Sequence, residues 1–192
     1  MKHLKLTLFI LAASVSGVWA QSVDTVAVWS QSMKKNVKNV VITPANYKTA
    51  KNERFPVVYL LHGAGGNYSN WIKKTPFLPE LASRYGMIIV CPDGNTHSWY
   101  WDSPVDTTSR YETYVSKELR EFIDKTYRTV DSREGRAITG LSMGGQGALF
   151  LAFRHLDLYG ACASMSGGVD IQSFPSSWYM EQKLGSQAEN PE

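Results

Sequence analysis

Four short apolar runs constrain this chain more than anything else in it. "PVVYLLHGAGG", "MIIVCPDG", "GRAITGLS" and "YGACASMSGG" each read as a strand that ends in turn residues. Val57 to Leu61 is apolar without alternation, the mark of a strand buried on both faces. Pro56 marks its first position, where a missing N–H is tolerable. Helical periodicity fills the gaps. "TPFLPELASRY", residues 75–85, predicts a helix with Pro79 in or near its first turn and Gly86 as its stop. Residues 110–127 put Tyr111, Tyr114, Val115, Leu119, Phe122, Ile123 and Tyr127 on one face, opposite a charged one. "MGGQGALFLAFRH" predicts a third helix. Strands alternating with helices imply an α/β fold, a mostly parallel sheet joined by right-handed crossovers. Residues 23–45, alternating and β-branched, predict an antiparallel hairpin at the start of that sheet.

The first 20 residues carry a different message. Lys2, His3 and Lys5 precede an apolar stretch from Leu6 to Val15, and Val18-Trp19-Ala20 offers small residues at both recognition positions before a cut. This is the pattern of a signal peptide cleaved after Ala20, and the apolar stretch is too short for a comfortable membrane span. The expectation is a secreted or periplasmic protein: a signal peptide over 1–20, one domain over 21–192, and no stable membrane span after cleavage. The net charge of +3 is spread without a cluster larger than Lys34-Lys35 or Lys73-Lys74, so no nucleic-acid footprint is present. Six Trp, ten Tyr and seven Phe suit a protein that grips sugar rings or aryl groups, although core filling accounts for most of them. Cys91 and Cys162 sit in apolar strand-like runs and read as buried small hydrophobes. Without a histidine at ligand spacing they make no zinc site, and neither metal nor organic cofactor is expected.

Gly140-Leu141-Ser142-Met143-Gly144 fits the G-x-S-x-G pattern of a nucleophile elbow, with a strand before it and a helix after it. Glycines suit a serine on a strained strand-to-helix turn, because neighbouring Cβ atoms would collide with the turn or the helix. Ser142 is the candidate nucleophile. His62-Gly63-Ala64-Gly65-Gly66 ends an earlier buried strand and matches a loop that offers a backbone N–H to an oxyanion. The candidate donors are the N–H groups of Met143 and Ala64, the latter preferred over Gly65. His62 reads as a structural hydrogen-bonding residue of that loop. Trp99, Tyr100 and Trp101 follow a strand's carboxyl end, where open α/β sheets bind ligands. They are candidates for an acyl or sugar subsite, with a packing plug beneath a loop as the alternative. His97 reads as an exposed loop residue.

"VVYLLHGAGG" with Trp71 shortly after, "IIVCPDG", "SWYWDSP" and "AITGLSMGGQGAL" together resemble the esterase D-like family of α/β-hydrolases. That group includes S-formylglutathione hydrolases, feruloyl and acetyl-xylan esterases of carbohydrate esterase family one, and mycolyltransferases. The resemblance implies an α/β-hydrolase fold with helices on both faces of the sheet, and an ester or thioester acyl group attacked by Ser142. It also implies that the strands bearing Cys91 and Cys162 are separated by others, too far apart for a disulfide.

In this fold the triad runs Ser, then Asp or Glu, then His. After Ser142 there is one histidine, His155, at the far end of the helix and on the order of 20 Å away. Asp157 is as badly placed, and Asp170 precedes the position expected for the acid. The expectation is that the chain is C-terminally truncated, lacks its last strands, and that acid and base lie beyond Glu192. The edge of the sheet would then be unpaired and apolar surface uncovered. The function expected is an exported serine esterase acting on small-molecule or polysaccharide esters, with acyl groups on polysaccharide the substrate the resemblance favours. The alternatives are a carbohydrate-binding relative that lost its triad and an acyltransferase.

Overall fold

A computed structural model describes residues 21–171, 178–186 and 188. The signal-peptide expectation falls on residues 1–20, outside the described residues.

Six strands form one sheet: β1 (Ser22–Ser30), β2 (Lys35–Thr43), β3 (Val57–Leu61), β4 (Ile88–Pro92), β5 (Arg136–Leu141) and β6 (Ala161–Met165), in the order β1-β2-β4-β3-β5-β6. The hairpin expected over 23–45 is β1–β2, paired antiparallel from Ser22↔Thr43 to Ser30↔Lys35. β2 meets β4 antiparallel, and β4, β3, β5 and β6 are mutually parallel. The mostly parallel α/β sheet is therefore present as expected.

The unbroken apolar runs have their physical reason in the layers. Alternate residues of one strand face opposite sides of the sheet. Ile88 and Val90 join a core with Tyr59, Leu61, Ile138 and Leu151. Ile89 and Cys91 join a second core with Val40, Ile42, Leu60, Leu78 and Ala82. The second core packs under α1 (Asn70–Lys74) and α2 (Leu78–Arg84), and Gly86, at φ +59°, ends α2. The first packs under a long helical segment and under α5 (Met143–Arg154). That long segment is α3 (Tyr111–Thr113), a π-helical stretch (Tyr114–Leu119) and α4 (Arg120–Thr126). A 3.6-residue period predicts its extent but not its widened middle. Glu118, within the π stretch, accepts from Ser30 Oγ at 2.6 Å and from the Ser32 N–H at 2.8 Å, tying the segment to the β1–β2 turn. The short α6 (Met180–Leu184) follows β6.

One expectation is corrected here. Cys91 is buried, but Cys162 is exposed, as is every residue of β6. An apolar run becomes buried only where something covers it, and among the described residues β6 is a sheet edge that α5 approaches without burying any of its residues. The two thiols are free. They lie on β4 and β6 with β3 and β5 between, so three strand spacings, about 14 Å, separate them. Burial pushes the Cys91 thiol up to about 12. The folded protein should therefore show one fast-reacting thiol at pH 8 and two after denaturation. An aromatic disulfide reagent measures this directly, and two fast thiols in the folded protein would contradict the packing of β4.

Candidate active site

Ser142 caps the start of α5 with φ 55° and ψ −117°. A non-glycine residue holds such a backbone only when its surroundings over-determine it. Two hydrogen bonds do so: the Ser142 N–H donates to the Met165 carbonyl at 2.9 Å, and the Ser142 carbonyl accepts from the Gln146 N–H at 3.0 Å. Close approach does the rest. A Cβ on Gly140 would lie 2.5 Å from the Gly144 carbonyl group, and one on Gly144 would lie 2.5 Å from the Leu61 carbonyl oxygen. The elbow can form only because both positions lack side chains. Ser142 itself is exposed at the tip.

The HGAGG loop is brought against this tip. A Cβ on Gly63 would come within 3.4 Å of the Ser142 Cβ. Gly65 donates its N–H to the Thr96 carbonyl at 2.8 Å, and Gly66 donates to the Gly63 carbonyl at 3.1 Å. The Ala64 N–H meets no acceptor among the described residues. Met143 is the first residue of α5, where helical N–H groups lack intrahelical partners and the helix dipole favours negative charge. Among the described residues the N–H groups of Met143, next to Ser142, and of Ala64, which lines the same pocket as Ser142, are both without an acceptor.

His62 is committed elsewhere. Its Nε2 accepts from the Gly94 N–H at 2.8 Å, which leaves the proton on Nδ1 to be donated to the Gly63 carbonyl at 2.8 Å. Only 2% of the residue is exposed, and burial holds its pKa below the usual histidine range against the opposing pull of that hydrogen bond and of Asp93. The ring is a strut between two loops, the structural role the sequence suggested.

A pocket of about 390 Å³ opens beside Ser142, lined also by Gly63, Ala64, Asn70, Trp71, Lys74 and Thr75. Trp71 donates its indole N–H to the Leu61 carbonyl at 3.0 Å, which fixes the ring as one wall. α1 supplies Asn70, Trp71 and Lys74 of this lining, and Thr75 follows it directly. Sequence reasoning missed Asn70, Lys74 and Thr75 because five helical residues carry no readable period. Trp71 alone was signalled, by the resemblance.

The aromatic subsite is corrected. Trp99, Tyr100 and Trp101 are 3%, 0% and 4% exposed, and none lines the pocket. The Tyr100 hydroxyl accepts from the His62 N–H at 3.0 Å and donates to the His62 carbonyl at 3.2 Å, bracing the strut residue from below. Trp99 stacks on Trp101 with centroids 5.5 Å apart, and Trp101 packs edge-on against Phe150. A turn with Trp99 and Tyr100 at φ 55° and 61° folds the aromatics inward, so the packing alternative is the one realised.

No described histidine serves Ser142. His155 sits at the C-terminal end of α5, its Nε2 3.0 Å from Glu112. His97 packs at a tilt against Tyr179, with centroids 4.1 Å apart. A larger cleft of about 590 Å³, lined by Asp102, Arg110, Glu112, Arg154 and His155, lies at that far end of α5. Twelve helical residues, about 18 Å, separate it from the elbow. Among the described residues no cluster of His, Cys, Asp and Glu could hold a metal ion, and no helix is long and apolar enough to cross a membrane.

This geometry accords with the proteins the chain resembles. The family model described as "Putative esterase" matches residues 30–190. An esterase of Mycobacterium tuberculosis is 32% identical over 135 residues, covering 69% of this chain and 29% of that protein. An endo-1,4-beta-xylanase/feruloyl esterase of Xylanibacter ruminicola is 31% identical over 157 residues, covering 77% of this chain and 22% of that protein. A ferulic acid esterase structure superposes with a TM-score of 0.74 at 27% identity, covering 86% of this chain and 69% of that one. The chain thus spans less than a third of the length of those two sequence relatives. Its strand order, its elbow and the extent of the family match lead to one conclusion: the chain belongs to the Esterase family of α/β-hydrolases.

Proposed function

We propose that this chain carries the nucleophile and oxyanion site of a serine carboxylic-ester hydrolase. One observation carries the reading: Ser142 is held at a strained elbow, exposed to a pocket that Ala64 also lines, and the N–H groups of Met143 and Ala64 meet no acceptor among the described residues. Ser142 Oγ attacks the ester carbonyl, and the N–H groups of Met143 and Ala64 receive the negative charge that develops on the carbonyl oxygen. The tetrahedral species expels the alcohol and leaves an acyl-serine. Water then attacks that ester and regenerates the serine. The proton from Ser142 needs a base, and both ring nitrogens of His62 are already engaged. Among the described residues, His155 and His97 are placed elsewhere as well.

Acyl groups on polysaccharide are the substrate class proposed. The names of the xylanase/feruloyl esterase relative and the ferulic acid esterase structure support this. The leader-like residues 1–20 support export to the periplasm or medium, where such polymers are met. A binding protein that has lost catalysis is the competing reading, favoured by the lack of a described imidazole near Ser142.

Incubating the chain with p-nitrophenyl acetate and mapping the adduct by mass spectrometry separates the two. The expected result is slow acetylation of Ser142, absent from Ser142→Ala. With no imidazole placed beside Ser142 among the described residues, turnover should stay near the residual acceleration of about 10³–10⁴ that oxyanion site and binding provide. Acetylation confined to other residues would defeat the nucleophile assignment. Full turnover that vanishes in Ser142→Ala would place the base inside the chain.

A further inference from the structure

We propose that Lys74 makes the Ser142 pocket selective for esters that carry a carboxylate. This deepens the esterase reading and rests on it for the position of the ester carbonyl.

The argument begins with the charges that face the pocket. Its lining holds two ionisable side chains besides the serine, His62 and Lys74, and no carboxylate. His62 is neutral, with both ring nitrogens engaged and burial opposing its protonation. Asp93 acts on His62 from outside the pocket wall, and its Oδ1 is occupied by the Asn95 N–H. Lys74 is exposed at the end of α1 and forms no ion pair among the described residues. Asn70, Trp71, Thr75 and Leu141 are uncharged. The N–H groups at the start of α5 add a positive partial charge of the same sign. The pocket therefore presents one lysine ammonium and a positive dipole, with no carboxylate among its described lining residues.

An occupant with a negative group meets a complementary field, and a neutral occupant does not. A volume of about 390 Å³ holds a small ester together with a further carboxylate. The ammonium, on its four-carbon stem, can follow that carboxylate on either side of the scissile bond. Two substrate types share this chemistry: a half-ester of a dicarboxylic acid, with the charge on the acyl side, and an acyl ester of an acidic alcohol such as a uronate, with the charge on the alcohol side. Lys74 also sits at the C-terminal end of α1, where a cation suits the helix dipole. A purely structural role of that kind would affect neutral and anionic ligands alike.

Binding to Ser142→Ala tests the proposal without any need for turnover. The probes are monomethyl succinate and acetoxyacetate, anionic on the acyl and alcohol sides, with methyl butyrate and propyl acetate as neutral partners. Titrations followed by the amide shifts of Ala64 and Met143 report each affinity. At low salt at least one anionic ester should bind about five-fold more tightly than its neutral partner, as suits a solvent-exposed ion pair. The arm that shows the preference identifies the side bearing the charge. The ratio should fall to about one in Lys74→Gln, fall below one in Lys74→Glu, and shrink as salt is raised to ~1 M. Equal affinities in the presence of Lys74, a preference that survives Lys74→Gln, or no binding of any probe would each overturn the proposal. Acetylation of Ser142 reads the esterase assignment separately, so the two can fail independently.

Discussion

Gly144→Ala is expected to destabilise the fold by about 3 kcal/mol or more, at or above the upper end of the usual cost of overfilling a core. The added Cβ would lie 2.5 Å from the Leu61 carbonyl oxygen and 2.7 Å from that of His62. Both are main-chain atoms of the central strand and the loop it feeds, and neither can turn aside as a side chain would. Relief requires α5 to move away from β3, which withdraws the Met143 N–H from Ser142 and breaks the contacts of Leu151 in the core beneath. For a domain of this size the loss corresponds to a fall in melting temperature of about 6–12 °C. Thermal unfolding followed by circular dichroism measures it. A melting temperature unchanged from the parent would show that the elbow is not packed as described.

The second large effect lies at His62. His62→Leu retains an apolar side chain of similar bulk but strips partners from the Gly94 N–H and the Gly63 carbonyl. Each buried group left unpaired costs about 1–3 kcal/mol, so about 2–6 kcal/mol in total is expected. The two loops that the ring joins would separate, and Ala64 would lose its place beside Ser142. The pH dependence distinguishes this from a generic core defect. The unfolded chain protonates this ring near 6.5, whereas burial holds the folded value lower. Between those two values the unfolded state binds more protons, so stability rises with pH in that window and is lost as pH falls below about 6.5. His62→Leu should be less stable at neutral pH and should lose part of that acid slope. Urea unfolding of both proteins at pH 7.5 and 5.5 checks the pair of effects, and parallel slopes would remove His62 as their source.

Much of the fold was legible because burial on two faces leaves a mark in one dimension. Val57 to Leu61 reads as a strand with the bounds it has, and the G-x-S-x-G pattern between strand and helix located Ser142. The HGAGG loop could be matched to the elbow by type, although only the folded chain shows Gly65 engaged with Thr96 and Ala64 left open. What failed to read through depends on contacts between distant segments. Trp99, Tyr100 and Trp101 lie at the ligand-binding edge of a sheet, but a turn points them inward, and Gly94 makes room for the Tyr100 ring. Cys162 shares the apolar company of Cys91, yet exposure depends on what covers a strand and not on its composition. α1 is too short for periodicity, so Lys74 became a candidate only once the pocket was seen.

The hydrogen bond from Ser142 to Met165 joins the serine's own amide to the end of β6. Every residue of that strand is exposed, and β5 is its one sheet neighbour among the described residues. Elements with little apolar cover open by local fluctuation far more readily than the whole domain unfolds. Each such opening of β6 would release one of the two constraints on the serine backbone while β3, β4 and the cores on both faces stay intact. Nucleophile geometry and global stability are thus set by different parts of the sheet. Hydrogen exchange at Ser142 should follow the fraying of β6, and heat should disable the elbow at temperatures where the domain still registers as folded.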